Sequence, residues 1–189
     1  PFAVKTISAS REDFPADSKY LGEQAYQRLI GPLYYSFEHA GCYFLMLHAT
    51  AIGQPVRPNC GARSGLPERE VKWLRTELTL APKKPIYIFC HQPPDEWYNL
   101  PQVERLFWRK PLVAVFCGHR HTLCRARLFA GKPVLLGGAV SGNWWRGRDR
   151  SYCVDGNPQG CNLIWIEKPG KVLAAYRPAF VRAYLDASD

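Results

Sequence analysis

Three histidines stand where chemistry could be done. His91 closes the apolar run Pro85-Ile86-Tyr87-Ile88-Phe89-Cys90 and is followed by Gln92-Pro93-Pro94. His119 and His121 close a second run, Leu112–Cys117, in the order Gly118-His119-Arg120-His121. Short continuous apolar runs bounded by turn residues read as buried strands. In open α/β sheets, ligands gather in the loops at the carboxyl ends of the strands. If the two runs are neighbouring parallel strands, His91 comes close to His119 and His121. Histidines at i and i+2 of extended chain lie on the same side, and Gly118 permits a tight turn or a close backbone approach. Such a pair suits a two-metal centre, one ion each, with the ions about 3.5–4 Å apart. Imidazole favours zinc, iron, manganese or nickel over calcium.

Blander readings stand beside this one. His91 taken singly also fits a hydrogen-bonded core histidine, and three histidines also fit a single zinc with one open position. Cys117, His119, His121 and Cys124 invite a structural zinc. Against that, Cys117 ends an apolar strand and is expected to face the core, and the spacing departs from a zinc knuckle. His39 and His48 read as surface or packing residues.

The elements that must position these residues are legible in outline. Strands are expected at Leu33–Glu38 and Cys42–Leu47, joined by a hairpin turn at His39-Ala40-Gly41. A Pro- and Gly-rich loop follows from Gly53 to Leu66. Pro67-Glu68-Arg69-Glu70 opens a helix, with proline at a favoured first position, acids in the first turn and Val71, Leu74 and Leu78 as its apolar stripe. A second helix is expected around Val103, Leu106 and Phe107. Strand, helix and strand with unbroken apolar strands is the pattern of a sheet covered on both faces. The tail, with strands expected at Arg125–Ala130, Val134–Val140, Cys161–Ile166 and Val172–Tyr176, reads as antiparallel hairpins.

The order of these elements resembles the calcineurin-like metallophosphoesterases. The resemblance rests on Tyr34-Tyr35-Ser36-Phe37, Phe44-Leu45-Met46-Leu47, a helix with Trp73-Leu74, His91-Gln92-Pro93-Pro94 and Gly118-His119-Arg120-His121. The tail, Ser141-Gly142-Asn143-Trp144-Trp145-Arg146-Gly147 and Asp155 to Asn162, is similar to the C-terminal part of a bacterial subgroup. The resemblance implies an α/β fold, a layered α/β/β/α sandwich incomplete at its N-terminus with antiparallel C-terminal strands. It implies one domain over residues 1–189, with 1–140 the C-terminal part of a catalytic domain and 141–189 an appended β-rich segment. The implied activity is hydrolysis of a phosphate monoester or diester by two divalent transition metals, Mn, Fe or Zn. His91 and His119 then correspond to ligands of the second metal and His121 to a ligand of the first.

Departures from the family pattern are equally informative. The Asp-x-His and Gly-Asp blocks lie nowhere in this chain, so the bridging aspartate is missing. The Gly-Asn-His-Asp block, laid after the strand that begins Pro1-Phe2-Ala3-Val4, falls on Ile7-Ser8-Ala9-Ser10. Ser8 then replaces the metal-binding asparagine and Ala9 the histidine that serves the leaving group. Two expectations follow: the C-terminal part of a longer hydrolase, since the chain starts at Pro1, or a non-catalytic relative that serves as a binding or scaffolding module.

Composition bounds the remainder. The 189 residues, 47% hydrophobic and 22% charged, describe a globular domain and exclude disorder, collagen-like repeats and coiled coils. The longest apolar run, Cys42–Leu47, is far too short to span a bilayer. No secretory leader is readable. The net charge of +9 is spread along the chain apart from Arg146, Arg148 and Arg150, and is compatible with a phosphorylated small-molecule or phosphodiester partner. Seven cysteines, several within apolar runs, fit buried thiols and a cytoplasmic setting better than a disulfide framework, although Cys153 and Cys161 flank a turn and could pair. Trp144 and Arg146 are candidate substrate contacts at the rim of the site, with hairpin packing as the alternative role for Trp144 and Trp145. The aromatic residues are scattered with no interleaved basic groove, which argues against specific nucleic-acid recognition.

Overall fold

The computed structural model describes residues 22–51, 63–81, 83–120, 125–138 and 160–178. The chain divides into two compact units, Pro1–Leu33 and Tyr34–Asp189. In the first, the described element is helix α1 (Gly22–Leu29), which carries Glu23 in its first turn and Arg28 in its last, both favourable to its dipole.

The second unit is built on a six-stranded mixed sheet. Its strands are β1 (Tyr35–His39), β2 (Cys42–Met46), β5 (Ile86–Phe89), β6 (Leu112–Cys117), β7 (Arg125–Phe129) and β8 (Lys132–Leu136), in the spatial order β1-β2-β5-β6-β8-β7. The four inner strands β2, β5, β6 and β8 run parallel, and β1 and β7 are antiparallel edges. Two-residue strands β3 (Thr50–Ala51) and β4 (Arg63–Ser64) pair with one another, and β9 (Gly160–Lys168) and β10 (Lys171–Pro178) form a separate hairpin.

Strand alternation sorts the side chains into two apolar layers. Leu45, Ile86, Ile88, Val115 and Val134 face helix α2 (Glu68–Leu80) and helix α3 (Leu100–Leu106), where Val71, Leu74, Leu78, Val103 and Phe107 complete the core. Each fully buried aliphatic side chain there contributes about 1.5–3 kcal/mol. Tyr87, Ala114, Phe116 and Cys42 face the other way and pack with Phe44, Phe89, Leu135 and with Ile164, Ile166 and Val172 of the β9–β10 hairpin. The unbroken apolar runs of β5 and β6 are accounted for by this double cover. Tyr87 also ties the hairpin to the sheet, its hydroxyl accepting the Gly170 N–H at 3.1 Å.

Boundaries shift from expectation for identifiable reasons. The first hairpin is joined by Ala40-Gly41 alone, both at positive φ (47° and 75°), so β1 runs on to His39 opposite Cys42. The β7–β8 hairpin, expected among the antiparallel hairpins of the tail, also joins the main sheet because β8 lies parallel to β6, with Val115 opposite Val134 and Cys117 opposite Leu136. Helix α2 opens at Pro67–Glu70 as expected, with Pro67 as its N-cap and Glu68 as its first residue. Its Glu70 is fully buried, in the first turn where the helix N-terminus favours a carboxylate, and accepts the His48 N–H at 2.9 Å.

Candidate metal centre

Parallel pairing of β5 with β6 places the two histidine-bearing loops side by side. The ladder continues past the strands, with the Cys90 N–H on the Phe116 carbonyl and the Gly118 N–H on the His91 carbonyl, each at 3.0 Å. The His91 and His119 rings meet edge to face, centroids 5.3 Å apart and planes at 77°. The strand adjacency that the sequence left as a condition is thus found, and it brings these two imidazoles together.

The local backbone departs from the extended chain expected for Gly118–His121. The left-handed residue of the loop is His119, with φ 69°, and not Gly118. A Cβ at Gly118 would sit 3.6 Å from His91 Nδ1, ordinary contact, so close approach does not demand glycine there. A non-glycine residue held at positive φ is uncommon, histidine less so than most, and such residues concentrate at functional sites.

What fixes His119 is a strap of charge that the sequence reading missed. Pro94–Glu96 forms a single 3₁₀ turn after β5, locked by the Trp97 indole N–H on the Gln92 carbonyl at 3.1 Å. Arg120 reaches this turn with both arms: its Nε donates to Glu96 Oε1 at 2.8 Å and its Nη2 to Asp95 Oδ2 at 2.9 Å. The other oxygen of Glu96 lies 3.5 Å from His119 Nε2. The two carboxylates hold the Arg120 guanidinium firmly in its charged form, against the cost of its partial burial. The sequence signal was an arginine between two histidines, 24 residues after the second of a pair of adjacent acids, Asp95-Glu96.

His48, read as a surface or packing residue, follows β2 at this same edge and is half-buried, with its backbone anchored on Glu70. Cys117 is buried in the core as expected. Beside it the Cys90 thiol is pushed well up by its hydrogen bond to Cys117, by burial and by the charge of Glu70, which keeps it protonated and unreactive. Cys42, Cys90, Cys117 and Cys161 are free thiols. His121, Cys124, Cys153, Trp144 and Arg146, and with them Ser8 and Ala9, lie outside the described residues.

Two imidazoles with a carboxylate behind one of them are donors of the kind a transition metal takes, and the residues present fit such an ion in type. Among the described residues, no group of three or more histidine, cysteine, aspartate or glutamate side chains is placed to hold a metal. No helix among them is long and apolar enough to cross a membrane.

No protein-family profile matches the chain, and no curated protein does. Among solved structures it is similar to the crystal structure of a dimetal phosphatase from Danio rerio, with a TM-score of 0.50 and 16% sequence identity. The match covers 76% of this chain and 60% of that one, so the chain spans less than two thirds of its neighbour's length. At this identity the likeness speaks to architecture: the mixed sheet, the helices on one face and the antiparallel hairpin on the other resemble the fold of a dimetal phosphatase.

Proposed function

We propose that the chain is a metal-dependent phosphoester hydrolase, or the C-terminal part of one, with His91, His119 and His121 as ligands of a dinuclear centre. The observation that carries this reading is the delivery of His91 and His119 to one sheet edge by adjacent parallel strands, rings 5.3 Å apart, on a fold like that of a dimetal phosphatase. Two bound Mn, Fe or Zn ions would supply Lewis acidity and an activated water for in-line displacement at phosphorus. The geometry supports a role for each side chain. Glu96 stands at Nε2 of His119, which leaves Nδ1 as the nitrogen free for a metal, the usual carboxylate–histidine arrangement. Arg120 keeps Glu96 in place by neutralising it together with Asp95. Trp144 and Arg146 are assigned to the phosphorylated substrate, monoester or diester, and the sandwich of α/β/β/α type to the complete fold.

A second reading, a non-catalytic relative acting as a binding or scaffolding module, is favoured by one specific feature: Ala9 stands where the family pattern has the leaving-group histidine. Metal content per chain after manganese or zinc loading and buffer exchange, combined with hydrolysis of an activated aryl phosphodiester, separates the two. Turnover that His119→Ala abolishes, with retained metal near one or two per chain, establishes the hydrolase. Retained metal without turnover establishes the binding module, and no retention in the presence of a folded chain removes the metal centre from both.

A further inference from the structure

At the end of the sheet opposite the histidines lies a second cleft, about 690 Å³ in volume. β6 and β8 run parallel, so the end of α3, the turn that leads into Leu112 and the Ala130-Gly131 turn that leads into Lys132 all meet at the amino edge of the strands. Phe107, which is buried, and the indole of Trp108, 76% exposed, give the cleft apolar surface. Arg105, Arg109 and Lys132 line it.

The charges in this cleft are unbalanced. None of these three cations has a hydrogen-bond or ion-pair partner among the described residues. The carboxylate in the lining, Glu104, is already committed, accepting the Ala130 N–H at 2.7 Å. Lys110 is committed too, its ammonium donating to the Leu78 carbonyl of α2. Arg109 occupies the left-handed region, φ 58°, in the turn after α3 where glycine is the residue without strain. Local backbone preference there favours glycine over any residue with a side chain, so the arginine stands against it. Uncompensated cations beside an open indole concentrate anions and offer a stacking face for a flat ring. The volume is that of a small-ligand site.

We propose that this cleft binds a nucleoside phosphate, with its ring against Trp108 and its phosphates held by Arg105, Arg109 and Lys132. The site is independent of the histidine edge and of the hydrolase reading. Isothermal titration of the full chain in EDTA and low salt, with ATP, inorganic triphosphate and a single-stranded oligonucleotide, tests it. ATP is expected to bind one per chain and more tightly than triphosphate. Trp108→Ala and Arg109→Gly should each weaken it about tenfold, with Arg109→Gly melting no lower than the parent, and His119→Ala should leave it unchanged. An oligonucleotide that binds more tightly than ATP and is lost on Trp108→Ala upholds the site and identifies a nucleic-acid strand as the source of the phosphorylated ring. Triphosphate binding as tightly as ATP, insensitivity to Trp108→Ala, or loss with His119→Ala but not with Arg109→Gly overturns the proposal.

Discussion

Replacing Arg120 with alanine should loosen the histidine edge by an amount that can be worked from its contacts. Its two charge-assisted bonds, 2.8 and 2.9 Å long, join side chains that are 33% exposed for Arg120, 28% for Glu96 and 21% for Asp95. A fully exposed pair is worth about 0.2–1 kcal/mol, and truncating one partner of a fully buried pair costs about 3–5 kcal/mol. Intermediate exposure places Arg120→Ala at about 2 kcal/mol. For a chain of this size that lowers the melting temperature by about 4–8 °C. Lysine lacks the fork that spans both carboxylates, so Arg120→Lys should recover about half of the loss. A double-mutant cycle of Arg120→Ala with Glu96→Gln, followed by denaturant unfolding, should show a coupling of about 1 kcal/mol. The same variants should retain Mn or Zn about 10–100-fold less tightly, because His119 loses the group that orients it. Single-variant effects under 0.5 kcal/mol, or additivity in the cycle, would refute the strap as the element that holds the site.

Three further outcomes test the frame around the site. At Gly65, φ 140°, an added Cβ would stand 2.4 Å from the Tyr98 ring, so Gly65→Ala should destabilise by about 2–3 kcal/mol in urea unfolding, and Tyr98→Ala in the same chain should relieve only the steric part. Ala40 and Gly41 both sit at positive φ in a two-residue hairpin turn, so Ala40→Asn should raise stability by about 0.5–1 kcal/mol, read as a higher melting temperature. The Tyr87 hydroxyl is raised above its ordinary value of 10.0, chiefly by burial and in spite of the Gly170 N–H that it accepts. The unfolded chain therefore loses that proton first, and stability should be full below pH 10 and fall as pH rises beyond it. Melting between pH 9 and 11 should show a shallower alkaline decline in Tyr87→Phe than in the parent.

Much of the scaffold was written in local pattern. The apolar run Leu112–Cys117 is a strand at the residues expected, Pro67 and its acids open α2, and histidine follows β5 and β6 where those strands end. These features depend on near neighbours in the chain: periodicity, turn chemistry and capping report whether a segment is buried and where it stops. They do not report which segment lies beside it. The parallel pairing of β8 with β6 came from hydrogen bonding across the sheet, and the same residues in a free-standing hairpin would carry the same alternation.

By itself, then, the sequence determined the elements and the chemistry available at their ends: imidazoles after two buried strands. Tertiary structure alone decided three things. It put His91 and His119 in contact by making their strands neighbours. It assigned the left-handed conformation to His119 instead of the adjacent Gly118, in the loop whose Arg120 reaches back to Asp95 and Glu96. It also brought Lys132, at the start of β8, to the cleft that Arg105, Trp108 and Arg109 line at the end of α3. The physical reason is common to all three. Ion pairs and ring contacts depend on distances of a few ångströms between segments, and those distances are set by the register of the sheet and the packing of the core.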